Sequence, residues 1–125
     1  MARVSVQSRP LNDAERCVLQ HVLSVEFDGV QELRSQIGVA AVVATWSPGS
    51  ASVGLRVAEG SKQSRRRNGC IPVDAAVHGD RGEYIGEILV WLDEGTLSAL
   101  EYAWVTDEMP TMLPQIDRIT VRQRK

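Results

Sequence analysis

The stretch from Tyr84 to Trp104, "YIGEILVWLDEGTLSALEYAW", constrains the fold of this chain more than any other. Two apolar runs flank the connection "DEG", and a three-residue connection that ends in glycine is a common hairpin loop. Gly95 supplies the positive φ that such a loop requires. The pattern therefore predicts a β-hairpin in which Leu92 pairs with Thr96.

That register places Trp91 across from Leu97 and Glu87 directly across from Glu101. Like charges that face each other across a strand pair are unfavourable unless something compensates them. One hypothesis is a catalytic or metal-binding carboxylate pair, because close carboxylates push their pKa values apart. The alternatives are an arginine from a neighbouring strand, such as Arg56, or a face that is open to water. We expect an arginine.

Two helices are predicted before the strands. Asn12 with Glu15 three residues later is typical of a capping box and begins the first helix. Asp28 begins a second, shorter helix, which Gly38 ends. Apolar residues recur at helical spacing in both segments: Val18, Leu19, Val22, Leu23 and Val25 in the first, Val30, Leu33 and Ile37 in the second.

Downstream of the helices the pattern is typical of short strands, in segments 39–46, 53–57, 71–77, the hairpin and 116–121. We therefore predict an α+β fold, with two N-terminal helices packed on one face of a mostly antiparallel sheet of about five or six strands. The length suits a single domain over residues 1–125. Around this domain we expect three further features: residues 1–10 as an arm or edge strand, residues 59–69 as a flexible basic loop and residues 122–125 as a basic tail.

Charge is distributed unevenly along the chain, although its net value is only −2. Residues 80–108 hold eight acids against Arg81 alone, an asymmetry that affects partner choice and association rate. Two helices cannot bury both faces of the hairpin, so one face is expected to expose aromatic side chains rimmed by acids. The candidate partner-binding residues are Trp91, Asp93, Glu94, Tyr102 and Trp104.

The segment "SKQSRRRNG" places four bases in one loop: Lys62, Arg65, Arg66 and Arg67. Such a loop is typical of phosphate contacts in nucleic-acid binding, and it suits an acidic protein partner equally well. The alternative is a loop that is simply solvated. No aromatic residue lies in the loop to stack on bases, and no helix-turn-helix, zinc-finger or RNA-recognition pattern is present.

Other chemistry has little support in the sequence. Cys17 and His21 lie four residues apart on the first helix, but no second half-site accompanies them, so we expect Cys17 in the core and neither metal nor cofactor. No nucleophile elbow or phosphate-binding glycine motif is present. The apolar run 39–46 is too short to span a bilayer, and the N-terminus lacks an apolar signal region. We expect a cytoplasmic protein with reduced thiols and no membrane contact.

The segments "FDGVQELRSQ" and "WLDEGTLSALEYAWVTDEMP" resemble a diffuse group of short actinobacterial proteins. The shared pattern is a Phe-x-Gly-x-x-Glu-Leu-Arg segment, followed later by an acidic-Gly turn and Leu-Ser-x-Leu-Glu. This resemblance implies no activity.

Three functional hypotheses remain. The first, which we favour, is a non-catalytic protein-binding module of the immunity or antitoxin class, or an accessory protein, that acts through its acidic hairpin and sheet face. The second is a nucleic-acid-associated accessory protein that uses the Arg65–Arg67 loop. The third is a small enzyme that uses Glu87 and Glu101.

Overall fold

A computed structural model describes residues 3–124 of the chain. Its helices are α1 (Asp13–Val22) and α2 (Val30–Gln36), and short 3-10 turns follow at Ile37–Val39 and Ile116–Arg118. Its strands are β1 (Val4–Pro10), β2 (Ala40–Thr45), β3 (Val53–Val57), β4 (Gly69–Cys70), β5 (Val73–His78), β6 (Tyr84–Asp93), β7 (Thr96–Trp104) and β8 (Ile119–Gln123).

All eight strands belong to one antiparallel sheet with the order β1-β2-β3-β7-β6-β5-β8, and β4 pairs beside β6. The prediction of two N-terminal helices on five or six strands is therefore wrong, although the class remains broadly α+β. A strand precedes the helices, and β1 is exposed along its whole length. An edge strand of this kind pairs through its backbone and needs no apolar pattern, so the sequence left residues 1–10 as either an arm or an edge strand. The structure has the edge strand.

The start of α1 follows the predicted capping box. The Asn12 side chain accepts from the Glu15 amide at 2.8 Å, and the Glu15 carboxylate accepts from the Asn12 amide at 2.9 Å. The same carboxylate also accepts hydrogen bonds from both terminal nitrogens of Arg9, at 2.9 and 2.8 Å. Because Arg9 belongs to β1, this buried carboxylate joins the helix to the edge of the sheet.

The start of α2 differs from the prediction. Gly29 occupies the N-cap position with φ of 94°, and no side chain caps the helix. Asp28 instead lies 3.5 Å from Arg65. The N-cap is therefore Gly29 and not Asp28, and the left-handed backbone of Gly29 differs from the extended backbone of a side-chain cap. The predicted cap at Asp28 is wrong.

Both helices contribute to a single cluster of buried side chains on one face of the sheet. Alternate residues of β5, β6 and β7 point to the opposite face, which we call the outer face. Its half-exposed residues are Asp74, Ala76, His78, Glu87, Leu89, Trp91, Glu101 and Ala103.

The sheet has two distinct ends. At the end where β7 finishes and β8 begins, residues 105–115 cross between them, and we call this the loop end. At the opposite end, called the tip end, the β6–β7 turn meets the 58–68 loop.

The predicted tail is partly strand, since β8 runs to Gln123 and the Arg124 amide donates to Pro72 at 2.8 Å. Residues 1, 2 and 125 of the predicted arm and tail lie outside the described residues.

Neither helix within residues 3–124 has the length and apolar character needed to cross a membrane.

Candidate functional site

The central hairpin is tighter than the sequence predicted. Asp93 pairs with Thr96, so the loop contains only Glu94 and Gly95, with φ of 51° and 80°. Two positive φ values are typical of a type I′ turn, whose twist matches that of the flanking strands. The Asn68 side chain accepts from the Glu94 amide at 3.0 Å and helps to hold this unusual backbone in place. The predicted pairing of Leu92 with Thr96 is wrong by one residue.

A bulge then shifts the register again between Trp91 and Leu92, with Ser98 as the extra residue. Glu87 consequently lies across from Ala103, and Glu101 lies across from Leu89. The predicted facing pair of glutamates is therefore wrong, although both side chains share the outer face as diagonal neighbours.

The two glutamates have different surroundings. Glu101 accepts a hydrogen bond from Trp91 Nε1 at 2.9 Å. Glu87 lines a groove on the outer face, and Glu101 is not among the residues of that groove. Within residues 3–124 neither carboxylate has an arginine within 4.0 Å, and Arg56 pairs far away across from Ala41. The prediction that an arginine lies between them is therefore wrong. The two acids also do not line the same cavity.

The basic loop lies against neighbouring acids. Three of its four bases form ion pairs: Lys62 with Glu32 (3.9 Å), Arg65 with Asp28 (3.5 Å) and Arg67 with Glu94 (2.6 Å). Such exposed pairs add little stability, but they offset the positive charge that a phosphate ligand needs. In the described part of the chain, Arg66 alone of the four has no acid within 4.0 Å.

Backbone hydrogen bonds join the same loop to the hairpin turn. The Ser64 amide donates to Gly95 at 2.8 Å, and the Gly95 amide donates to Arg67 at 2.7 Å. The hydroxyl of Ser64, which is buried, donates to Gly29 at 2.7 Å. A Cβ at position 95 would lie 2.6 Å from the Ser64 carbonyl oxygen, so only glycine allows this close approach.

Gln36, at the end of α2, connects these parts from inside the core. Its amide nitrogen donates to the carbonyls of Lys62 and Gly95 at 2.9 and 3.0 Å, and its side-chain oxygen accepts from the Leu97 amide at 2.9 Å. The side chain is fully buried. The sequence analysis did not single out Gln36, because a glutamine at the end of a helix has no distinguishing pattern.

The candidate partner-binding residues lie in different places. Asp93 and Glu94 are exposed at the tip end, and Trp91 is half-buried on the outer face. Tyr102 is buried in the core, and this burial raises its pKa. Trp104 is exposed at the loop end. The structure does not bring these five residues together into one surface.

The loop end carries a concentration of exposed apolar side chains that the sequence analysis missed. Of the nine large hydrophobic residues exposed within residues 3–124, six lie here, and Met112 (78%) and Val105 (64%) are the most exposed. We call these six the docking surface: Tyr84, Trp104, Val105, Met109, Met112 and Ile116. Prolines and the lack of strand or helix periodicity made this segment look like a plain loop, and the run "MPTML" was its only signal.

Acids surround the docking surface. Asp107 and Glu108 lie within the crossing loop, and Asp80 and Glu83 lie on the β5–β6 turn. The crossing loop meets that turn along an open groove of about 540 Å³, which Met112, Asp80 and Glu83 help to line. Asp80 is paired with Arg118 at 2.8 Å, whereas within residues 3–124 the other three acids have no base within 4.0 Å. The loop end is therefore both apolar and negatively charged.

The remaining candidate groups are accounted for separately. Cys17 is exposed rather than buried, so its prediction as a core residue is wrong. His21 Nε2 donates to the carbonyl of Ile119 at 2.8 Å. Cys70 is a half-buried thiol whose pKa is raised, mainly by burial. No group of three or more His, Cys, Asp or Glu side chains in the described part of the chain is arranged to hold a metal ion.

Comparison of the chain with protein families, with curated proteins and with solved structures finds no match. No activity is therefore transferred to this chain from a relative.

Proposed function

We propose that this protein is a non-catalytic protein-binding module of the immunity or antitoxin kind, which binds a basic protein through the docking surface. The observation that carries the proposal is the group of exposed apolar side chains at the loop end, set among acids that mostly have no internal partner. Exposed apolar groups of this kind mark protein interaction sites, and methionines adapt to the shape of a partner.

Charge supports a basic partner. The loop end holds five acids (Asp80, Glu83, Asp107, Glu108 and Asp117) against Arg81 and Arg118. Complementary charge accelerates association and selects among partners. The immunity or antitoxin class is proposed by analogy, since such proteins are small and bind their targets without chemistry. A cytoplasmic location is part of the same proposal and is supported by the two free thiols.

The two alternative functions are not favoured by a specific observation. Three of the four bases in the 59–69 loop are paired with acids, and Glu87 and Glu101 do not share a cavity. We therefore propose no second function.

Capture from a lysate of the source organism, with the whole chain as bait, tests the proposal. We expect a protein richer in Lys and Arg than in Asp and Glu to bind, and to be released as the salt concentration rises. The double variant Val105→Ser/Met112→Ser removes exposed apolar area from the docking surface, and we expect it to weaken capture by about tenfold or more.

Val39→Ser is the matched control, because Val39 is also exposed but lies at the tip end. We expect this variant to bind like the wild type. Capture of the same protein by the double variant and the wild type alike would contradict the proposal, and so would the absence of any basic protein among the captured material.

A further inference from the structure

Glu87 is one of the residues that line a groove on the outer face. Its neighbours across the two adjoining strands are Ala76 and Ala103, both of which have small side chains. The groove has a volume of about 340 Å³, and its walls include Tyr84, His78 and Arg122. Glu87 is thus a half-buried acid in a concave site of side-chain size.

The two arginines near this groove, Arg122 and Arg124, are paired with Asp74. Asp74 holds Arg124 at 2.8 Å and Arg122 at 3.5 Å, and its pKa is lowered, chiefly by the hydrogen bond from Arg124. Within residues 3–124 no base lies within 4.0 Å of Glu87. A carboxylate that is partly removed from water and has no ion-pair partner gains from a further cation placed in direct contact with it.

The wall of the groove suits a flat cation. Tyr84 is 51% exposed, and its ring lines the groove beside Glu87. Its pKa is raised by burial and by the charge of Glu87, which favours the neutral phenol. An arginine side chain can stack its guanidinium on an aromatic ring and donate two hydrogen bonds to one carboxylate, which a lysine cannot do.

Tyr84 is also one of the exposed apolar residues at the loop end, and His78 lines both this groove and the loop-end groove, so the two grooves are neighbours. Interfaces commonly place one anchoring side chain in a pocket beside an apolar contact area, and arginine is among the residues most often found as that anchor. We propose that this groove receives an arginine side chain of the partner, with Glu87 as the acceptor and Tyr84 as the stacking wall. This inference depends on the proposed function for its partner, but its geometry can be tested without one.

The test uses N-acetyl-arginine N-methylamide as the probe and the full chain labelled with ¹⁵N. We expect saturable chemical-shift changes at the amides of Ala76, Tyr84 and Glu87 as the probe is added. The citrulline analogue has nearly the same shape without the charge, and we expect it to bind about tenfold or more weakly. Glu87→Gln should weaken binding of the arginine probe by a similar factor, because it removes the acceptor charge.

Glu101→Gln is the matched control, since Glu101 shares the outer face but is bonded to Trp91 and lies outside the groove. We expect its affinity for the probe to stay within about twofold of wild type. Absence of saturable shifts, equal binding of the citrulline analogue, or unchanged binding by Glu87→Gln would each overturn the inference.

The two proposals fail separately. If the probe binds at the groove but the Val105→Ser/Met112→Ser variant captures the partner as well as the wild type does, the groove is supported and the proposed function is rejected. Capture that depends on those two residues, without any probe binding, would support the function and reject the groove.

Discussion

At the scale of single residues, Gln36 stands out because its polar side chain is buried in the core and its amide group is fully hydrogen-bonded there. Its three hydrogen bonds reach Lys62, Gly95 and Leu97, which belong to segments far apart in the sequence. A buried amide is costly when its partners are missing and specifies one arrangement when all are present. Gln36 therefore fixes where the 58–68 loop and the hairpin meet.

Gln36→Leu keeps a similar side-chain volume but leaves the Leu97 amide and two carbonyls without this partner. We expect the free energy of unfolding to fall by about 2–4 kcal/mol, measured by urea denaturation. Gln31→Leu on the exposed side of the same helix is the control, and we expect it to change stability by less than about 0.5 kcal/mol. Equal effects of the two substitutions would show that the internal hydrogen bonds of Gln36 do not stabilise the fold.

Residue-level chemistry also shows which features the sequence can predict. The capping box of Asn12 and Glu15 was predictable because both partners lie within one helical turn. The hairpin register was not, because it depends on a type I′ turn that Asn68 supports from another segment and on a bulge at Ser98. The register determines which residues Glu87 and Glu101 face across the hairpin. An error of one residue at the turn therefore changed the prediction that these two glutamates face each other.

At the scale of elements, the 58–68 loop differs in its composition and in its hydrogen bonding. Its many polar and basic residues predicted flexibility, yet its backbone is hydrogen-bonded to the hairpin turn and the Ser64 hydroxyl donates to the Gly29 carbonyl. The decisive residue is Ser64, whose burial could not be inferred because serine is usually exposed. Because backbone hydrogen bonds join this loop to another element, we expect it to be more rigid than its composition indicates.

Amide hydrogen exchange tests this rigidity. We expect the amides of Ser64 and Gly95 to exchange slowly, with protection similar to that of Leu97 within the hairpin, because each donates to an acceptor in the other segment. The amide of Met112, in the exposed crossing loop, serves as the rapidly exchanging reference. Exchange of Ser64 as fast as that of Met112 would restore the original expectation of a flexible basic loop.

At the scale of the whole molecule, α1 links the two edges of the sheet. Near its start Glu15 binds Arg9 of β1, and near its end His21 binds the carbonyl of Ile119 in β8. The β1 edge itself carries a bulge between Ser5 and Arg9 and ends at Pro10. Bulges and prolines discourage pairing with another chain, so this edge is poorly suited to edge-to-edge association.

The contacts of α1 with both edges of the sheet support the prediction of a single domain. One cluster of buried residues includes both helices and strands from across the sheet, so we expect the chain to unfold in one cooperative step. Two variants that each keep one tryptophan, Trp46 beside β2 or Trp91 in β6, report on separate regions when the others are replaced by phenylalanine. In each variant we expect the urea midpoint from fluorescence to coincide with the midpoint from far-UV circular dichroism. A fluorescence midpoint that departs from the circular-dichroism midpoint in either variant would mean that the sheet unfolds in parts, and the single-domain prediction would then fail.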